Sequence, residues 1–300
     1  MMNTGSGAAR AEAPGCPFPL QGIDLHLHST FSDGLKTPDE LCRMAVKAGV
    51  SHVALCDHDT ARGVPAMLEA AQKHGLCCIP GAELSAGSGG KTHILCYGNA
   101  VTGPDVQRYL ETVGQERVQR AAAILQKLDE LGMTIPQEGK AALLTSPSVG
   151  RAHIARALIA MGACNTMQQA FDRWLGEGRP AYVPRTQLPA ERAVFELAAM
   201  KVLPVLAHPM RMGLDLPAVH ALVRSLKTCG LKGLECYHSS ANAKTARALE
   251  SIARQEGLLV TGGSDYHGDA GSTVHIGHLP SGWNSREKDL QALWNALLSI

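Results

Sequence analysis

Seven short apolar runs, nearly all ending on a histidine or a carboxylate, constrain this chain more than any other feature. They occupy residues 23–28, 52–56, 76–80, 92–97, 202–207, 231–236 and 258–263, mostly separated by segments with helical periodicity. Alternation of this kind predicts a largely parallel sheet. Reactive side chains gathered at the C-terminal ends of strands are the arrangement of a closed β/α barrel, whose active site forms at that face. An open doubly wound sheet would carry a glycine-rich phosphate loop instead. No Gly-x-Gly-x-x-Gly or P-loop pattern occurs, so an α/β barrel is expected.

The alternation is interrupted once. Between residues 104 and 200 strand signals nearly vanish, and Val106, Leu110, Val113, Val118, Ala122, Leu125 and Leu128 recur at helical spacing. Further helices are predicted at 148–162, 165–176 and 189–200. The expected organisation is a barrel domain from 22–103 and 201–300, a helical insertion subdomain at 104–200, and a disordered tail at 1–21. Residues 1–19 lack the apolar core of a signal peptide. A hydrophobic content of 45% against 18% charged residues supports a sizeable core. The net charge of +1 supplies no long-range pull on nucleic acid or membrane, and 4% aromatic residues argue against a base-stacking platform for single strands. No membrane partner and no obligate protein partner are expected. Nine cysteines, an odd number without a Cys-x-x-Cys pair, are read as buried reduced thiols in a cytoplasmic protein.

The period-two run Ile23-Asp24-Leu25-His26-Leu27-His28 projects His26 and His28 from one face of a strand. Two converging imidazoles make half of a divalent-metal site, and the turn Ser32-Asp33-Gly34 could bring Asp33 to the same point. The other strand ends add His58, Glu83, His93, His208, Asp265 and His267. Six histidines and three carboxylates suffice for two or three metals, with Glu83 expected to bridge. Mixed imidazole and carboxylate donors suit Mn, Fe or Zn. Asp57 and Asp59 flank His58 and are candidates to orient a ligand, with a helix N-cap as the alternative for Asp59. His52, His74, His220, His275 and His278 lack converging partners and are read as ordinary.

In this order, His-x-His, Ser-Asp-Gly, Asp-His-Asp, Gly-x-Glu, His-Ile-Leu-x-Tyr, Ala-His-Pro and Ser-Asp-x-His resemble the PHP family, named for polymerase and histidinol phosphatase domains. The resemblance spans about residues 22–280. It implies a distorted seven-stranded (β/α)7 barrel with a trinuclear metal centre, Mn being the first expectation. Carried over, His26, His28, Glu83 and Asp265 resemble the ligands of one metal, and Glu83, His93 and His208 those of a second. Asp33, His58 and His267 resemble those of a third; some members have His where this chain has Asp33. The insertion, with Gly150-Arg151-Ala152-His153-Ile154-Ala155-Arg156 and Pro180-Ala181-Tyr182-Val183-Pro184-Arg185, is similar to a bacterial subgroup of nucleoside 3′,5′-bisphosphate phosphatases and ribonuclease AM-like 5′-to-3′ exoribonucleases.

Clustered divalent ions acidify bound water and neutralise phosphoryl oxygens, which fits a phosphate-ester hydrolase. Residues 140–190 carry Lys140, Arg151, Arg156, Arg173, Arg179 and Arg185 against only Asp172 and Glu177. Arginine forks suit phosphate. Arg151, near a helix start, and Arg185 are the expected substrate contacts, while Arg156 and Arg173 are read as surface charges. His238 is a candidate to protonate the leaving oxygen, or an ordinary pocket histidine. The leading expectation is 3′-phosphate removal from a nucleoside 3′,5′-bisphosphate by a metal-bound hydroxide. Stepwise release of 5′-mononucleotides from short RNA is the alternative. A barrel reduced to an interaction module would have lost ligands, whereas every ligand position is filled.

Overall fold

The structure is a computed structural model describing residues 22–87, 90–146, 148–185, 188–269, 271–280, 283 and 286–300. The tail expected at 1–21 lies outside the described residues. Strands β1 (Ile23–Leu27), β2 (His52–Leu55) and β3 (Cys77–Ile79) form a parallel sheet in the order β1-β2-β3. Strands β4 (Gly81–Ala86), β5 (Thr92–Tyr97), β6 (Leu203–Leu206), β7 (Gly233–His238) and β8 (Leu259–Gly263) form a second sheet in chain order. In it β4–β5 and β5–β6 are antiparallel, and β6–β7 and β7–β8 parallel.

The fold is mixed α/β, as expected, but its strands lie in sheets of three and five rather than in one seven-stranded barrel. Two local causes are visible. Pro80, where the strand expected over 76–80 ends, has no N–H to donate to a ladder; it separates β3, paired with β2, from β4, an unanticipated strand paired with β5. Only residues 87–91 separate β4 from β5. So short a link permits a hairpin but no parallel crossover. Isolated bridges at Leu27–Tyr266 and His58–Glu83 join the edges of the two sheets. They are made by His28 N–H donating to Tyr266 O (3.1 Å) and Asp59 N–H to Glu83 O (2.8 Å). The seams between the sheets thus run through the candidate ligands.

Helix α1 (Pro38–Lys47) starts on a reciprocal cap: Thr37 Oγ1 accepts from Glu40 N–H (3.3 Å), and the Glu40 carboxylate accepts from Thr37 N–H (2.8 Å). Helix α2 (Val64–His74) stops at Gly75 in a left-handed conformation. Helices α3 (Pro104–Glu130), α4 (Gln137–Thr145), α5 (Arg151–Ala160) and α6 (Met167–Ala170), the last continued by a π-turn over Phe171–Leu175, make up the helical segment. Helices α7 (Ala190–Ala199), α8 (Leu216–Thr228), α9 (Ala243–Gln255) and α10 (Glu287–Leu298) complete the chain. Helix α4 was not anticipated; it buries no residue, so it carries little periodic signal.

Three apolar clusters hold the molecule. The largest lies around the five-stranded sheet and includes Ala193, Val194 and Leu197 of α7 and Leu249 and Ala253 of α9. A second joins β1 and β2 to α1 and α2 through Leu27, Leu41, Val53 and Met67. The third belongs to the helical segment and runs from Ala121 to Ala181. Helix α3 contributes Val106, Leu110 and Val113 to the first cluster and Ala121, Ile124, Leu125 and Leu128 to the third. On α3 the apolar face takes up Ala121, while Ala122, expected on it, is exposed.

Among the described residues no helix is long and apolar enough to cross a membrane. Cys42, Cys56, Cys78, Cys96, Cys164, Cys229 and Cys236 are free, as expected. Cys77 is disulfide-bonded, which corrects the expectation of reduced thiols at that position; Cys16 lies outside the described residues.

Candidate metal centre

The nine side chains proposed as ligands come together. Glu83 and His93 project from within the β4–β5 ladder, while the other candidate ligands lie at strand ends or just beyond them. Strand β1 presents His26 and His28 at its C-terminal end, both fully buried, with Leu25 and Leu27 facing the apolar clusters. Glu83, fully buried on β4, occupies the middle. Its Oε2 lies 3.4 Å from His26 Nε2, 3.4 Å from His28 Nε2 and 2.9 Å from His58 Nδ1. Its Oε1 lies 2.7 Å from His93 Nδ1 and 2.9 Å from His208 Nε2. One carboxylate therefore faces five imidazoles, two on one oxygen and three on the other. Asp265 Oδ1 adds a contact of 3.1 Å to His28 Nε2. Asp33 completes the far side, with Oδ1 3.2 Å from His267 Nε2 and Oδ2 3.9 Å from His58 Nε2.

Three groups here have donor atoms all within 4.8 Å of one another: His26, His28, Glu83 and Asp265; His58, Glu83 and His93; and His28, Asp33, His58 and His267. The buried atoms His26 Nε2 and Glu83 Oε2 have no well-aligned hydrogen-bond partner. Leaving such groups unpaired is costly, and a divalent cation among them would satisfy both. The charge distribution agrees. Burial opposes protonation of His267, yet Asp33 and Asp265 outweigh it and draw the imidazole up to about 10. Burial, with His267 nearby, instead lowers His28 to about 3. The acids call for positive charge at this point, and mixed N and O donors suit Mn, Fe or Zn.

Backbone strain accompanies the site. His208 (φ 22°), Asp265 (φ 58°) and Asp59 (φ 50°) are three of the four described non-glycine residues with positive φ, a conformation that costs free energy unless the surroundings hold it. For His208 the holding group is Glu235, whose Oε2 accepts the His208 backbone N–H at 2.7 Å.

The cluster opens into a cleft of about 800 Å³ reaching the helical segment. Arg117 and Arg185 line it, and both pair with the buried carboxylate of Asp59. Burial resists the Asp59 charge, but these two guanidinium groups outweigh it and hold its carboxyl below the usual range. Deeper in, Arg120 and Arg151 also line the cleft. Arg151 lies over the Phe171 ring (5.5 Å) and the Tyr182 ring (5.8 Å) and donates to Leu175 O at 3.4 Å. Arg120 donates to Val183 O at 2.8 Å, while its buried Nη2 has no partner. Burial, with Arg151 close by, lowers Arg120 to about 10. Neither makes a carboxylate ion pair among the described residues.

With this geometry in view, the comparisons are direct. The sequence model of the PHP domain matches residues 24–173. A 5′-3′ exoribonuclease of Haemophilus influenzae is 32% identical over 268 residues, 89% of this chain and 93% of that protein. The chain belongs to the PHP domain family. Another relative, a 3′,5′-nucleoside bisphosphate phosphatase of Chromobacterium violaceum, is 29% identical over 261 residues, 86% of this chain and 92% of its own. A solved Bifidobacterium adolescentis structure, described as a metal-dependent phosphoesterase, superposes with a TM-score of 0.78 at 29% identity. It covers 90% of this chain and 96% of its own.

Within this PHP domain, several working residues escaped the sequence reading. Glu235, fully buried on β7, accepts from His26 Nδ1–H at 2.9 Å as well as from the His208 backbone N–H. A lone glutamate inside an apolar strand is the signal that could have found it. Asp24 accepts from the Ser264 and Gly277 N–H groups, both at 2.8 Å. Asp57, expected from the sequence to orient a ligand, accepts from Ser29 N–H, Ser29 Oγ and Ser32 Oγ and so fixes the turn that carries Asp33. Asp59 caps no helix; it orients arginines. Arg117 and Arg120, at i and i+3 on α3, were hidden among ordinary helix-surface charges. Arg156 lines the cleft and pairs with Asp269 at 2.6 Å, where a free surface charge was expected.

His238 also lines the cleft. Its Nδ1 accepts from Ser240 N–H at 3.0 Å, so a neutral ring carries its proton on Nε2, which faces Asp265 Oδ2 at 3.4 Å. The five control histidines stay outside the PHP centre. His74 pairs with Asp39, His220 with Glu256, and His275 stacks on His278. His52 is the first residue of β2 and packs against Trp294.

Proposed function

We propose that this PHP-family protein is a metal-dependent phosphatase that removes the 3′-phosphate of nucleoside 3′,5′-bisphosphates, converting adenosine 3′,5′-bisphosphate to AMP and phosphate. The observation that carries the reading is one cleft with two anion-seeking regions: the histidine–carboxylate cluster, and the arginines of the helical segment that lack carboxylate partners. A substrate with two phosphates on one ribose matches that division. The name of the Chromobacterium violaceum relative supports it.

In this reading His26, His28, Glu83 and Asp265 hold one ion, Glu83, His93 and His208 a second, and Asp33, His58 and His267 a third. Mn is the first choice, with Fe and Zn as alternatives. When bound, such ions generate hydroxide near neutral pH and neutralise phosphoryl charge. The chain's own groups supply the rest. Glu83 faces all three ligand sets and fixes their spacing. Arg151 and Arg185 grip the second phosphate, joined by Arg120. A buried unpaired cation is costly, and phosphate bound at Arg120 and Arg151 removes that cost. His238, in its imidazolium form with Nδ1–H donating to Ser240 Oγ, gives its Nε2 proton to the departing ribose oxygen and is left as the neutral ring. Residues 104–200 act as a substrate-facing subdomain beside a catalytic part formed by 22–103 and 201–300.

Protein stripped by chelation and reloaded with Mn is expected to release phosphate from adenosine 3′,5′-bisphosphate much faster than from a plain sugar phosphate. Hydrolysis of the sugar phosphate alone overturns the reading. The second reading, stepwise 5′-to-3′ cleavage of short RNA, draws on the Haemophilus influenzae relative's name and on the same two-anion cleft. An end-labelled oligonucleotide separates the two: a ladder of shortened products supports the exonuclease, and loss of terminal phosphate alone supports the phosphatase.

A further inference from the structure

The metal-ligand side of the cleft is polar, and its opposite wall is not. Ala121 and Ile124 of α3, Val149 before α5, Met167 of α6 and Phe171 of the π-turn line that wall. Arg117, Arg120, Ala121 and Ile124 follow the spacing i, i+3, i+4, i+7, so one face of α3 brings two cations to the cleft with the buried Ala121 and Ile124 as apolar floor between them. The described lining residues between 117 and 171 are arginines, glycine or apolar residues, with no carboxylate, amide or hydroxyl side chain among them. Phe171 is half-buried, with the Arg151 guanidinium 5.5 Å from its ring centroid.

We infer that this wall is a nucleobase subsite that binds by stacking and apolar contact without reading base identity. The inference rests on the nucleotide reading above and deepens it. A base is a flat, largely apolar ring joined to the same ribose as the two phosphates. Arginine and phenylalanine faces accept any base, since every base has a π-face. Telling A from G, or C from U, takes side-chain acceptors for the exocyclic amino groups, and this wall supplies none. The arginines add donors only, so the biases they permit are modest preferences for the carbonyl-bearing bases, guanine over adenine and uracil over cytosine.

The test uses the Mn-loaded protein and five substrates: the 3′,5′-bisphosphates of adenosine, guanosine, cytidine and uridine, and the abasic 1-deoxyribose 3,5-bisphosphate. The four nucleotides are expected to agree in kcat/KM within about tenfold, the factor one discriminating contact supplies. The abasic compound is expected to be hydrolysed with KM raised at least about fivefold, since stacking a base is worth roughly 1–3 kcal/mol. In Phe171→Leu the ratio of abasic to nucleotide KM falls towards one, and in Phe171→Trp it is kept. The Leu variant preserves apolar bulk in the helical cluster, and circular dichroism of both variants controls for folding. Equal KM with and without the base overturns the subsite. One base favoured a hundredfold overturns the claim of indifference. No phosphate release from any of the five overturns the nucleotide reading itself, which is a separate result.

Discussion

At the scale of single residues, the least conspicuous group in the PHP centre has the clearest job. Glu235 touches no second carboxylate and lies away from the substrate cleft, yet it orients His26 and braces the strained backbone of His208. Substitution Glu235→Gln keeps the shape and removes the charge. It is expected to lower Mn affinity about 10–100-fold, the usual cost of losing a partner behind a ligand, with the fold intact by circular dichroism. Unchanged affinity in a metal titration would show that His26 needs no such support. The convergence of the nine candidate ligands could be read from sequence because imidazoles and acids are rare at the ends of apolar strands. Glu235 could not, because one glutamate has no spacing to set it apart. Arg117 and Arg120 were masked for the opposite reason, since charged residues at helical spacing normally face water.

At the scale of elements, the close approach of β8 to β1 brings Asp265 to the histidine pair. Gly263 makes it possible: a Cβ there would lie 2.1 Å from His26 Cβ. In Gly263→Ala the strands must part, so urea unfolding of the metal-free protein should show a loss on the order of 1–3 kcal/mol, and bound Mn should fall with it. Full Mn content in the variant would mean that Asp265 is dispensable as a ligand. The order of strands and helices was largely legible, because apolar runs and amphipathic periods differ in pattern. Their division into two sheets was not taken from the sequence, although Pro80 and the short 87–91 link were the physical signals for it.

A second element-scale prediction concerns α9 and α10. Glu250 accepts from Arg286 Nη2 at 2.7 Å and from Tyr237 OH at 2.8 Å. Arg286, outweighing the opposing effect of burial and joined by Tyr237, brings its carboxyl down to about 2. A carboxyl depressed on folding adds stability above its unfolded value of about 4.3 and loses it as pH falls through the folded value. Glu250→Gln should therefore be less stable than the parent at pH 6, the gap closing between about pH 4 and pH 2. A gap independent of pH in matched thermal melts would assign the effect to packing.

At the scale of the whole molecule, ligands drawn from strands across both sheets make bound metal a tie between distant parts of the chain. Anything that binds only the folded state stabilises it. Mn at about a hundredfold over its Kd should raise the melting temperature of stripped protein by roughly 5 °C for each ion bound; no shift would mean the centre holds Mn too weakly to matter. Helix α3 sets a further limit. Its first turns are packed under the five-stranded sheet, and its later turns are the spine of the helical segment. A rigid rod clamped in two places cannot act as a door hinge. The jaws of this molecule are accordingly set before anything arrives, so capture speed should follow diffusion into a standing gap, with no closing motion to wait for.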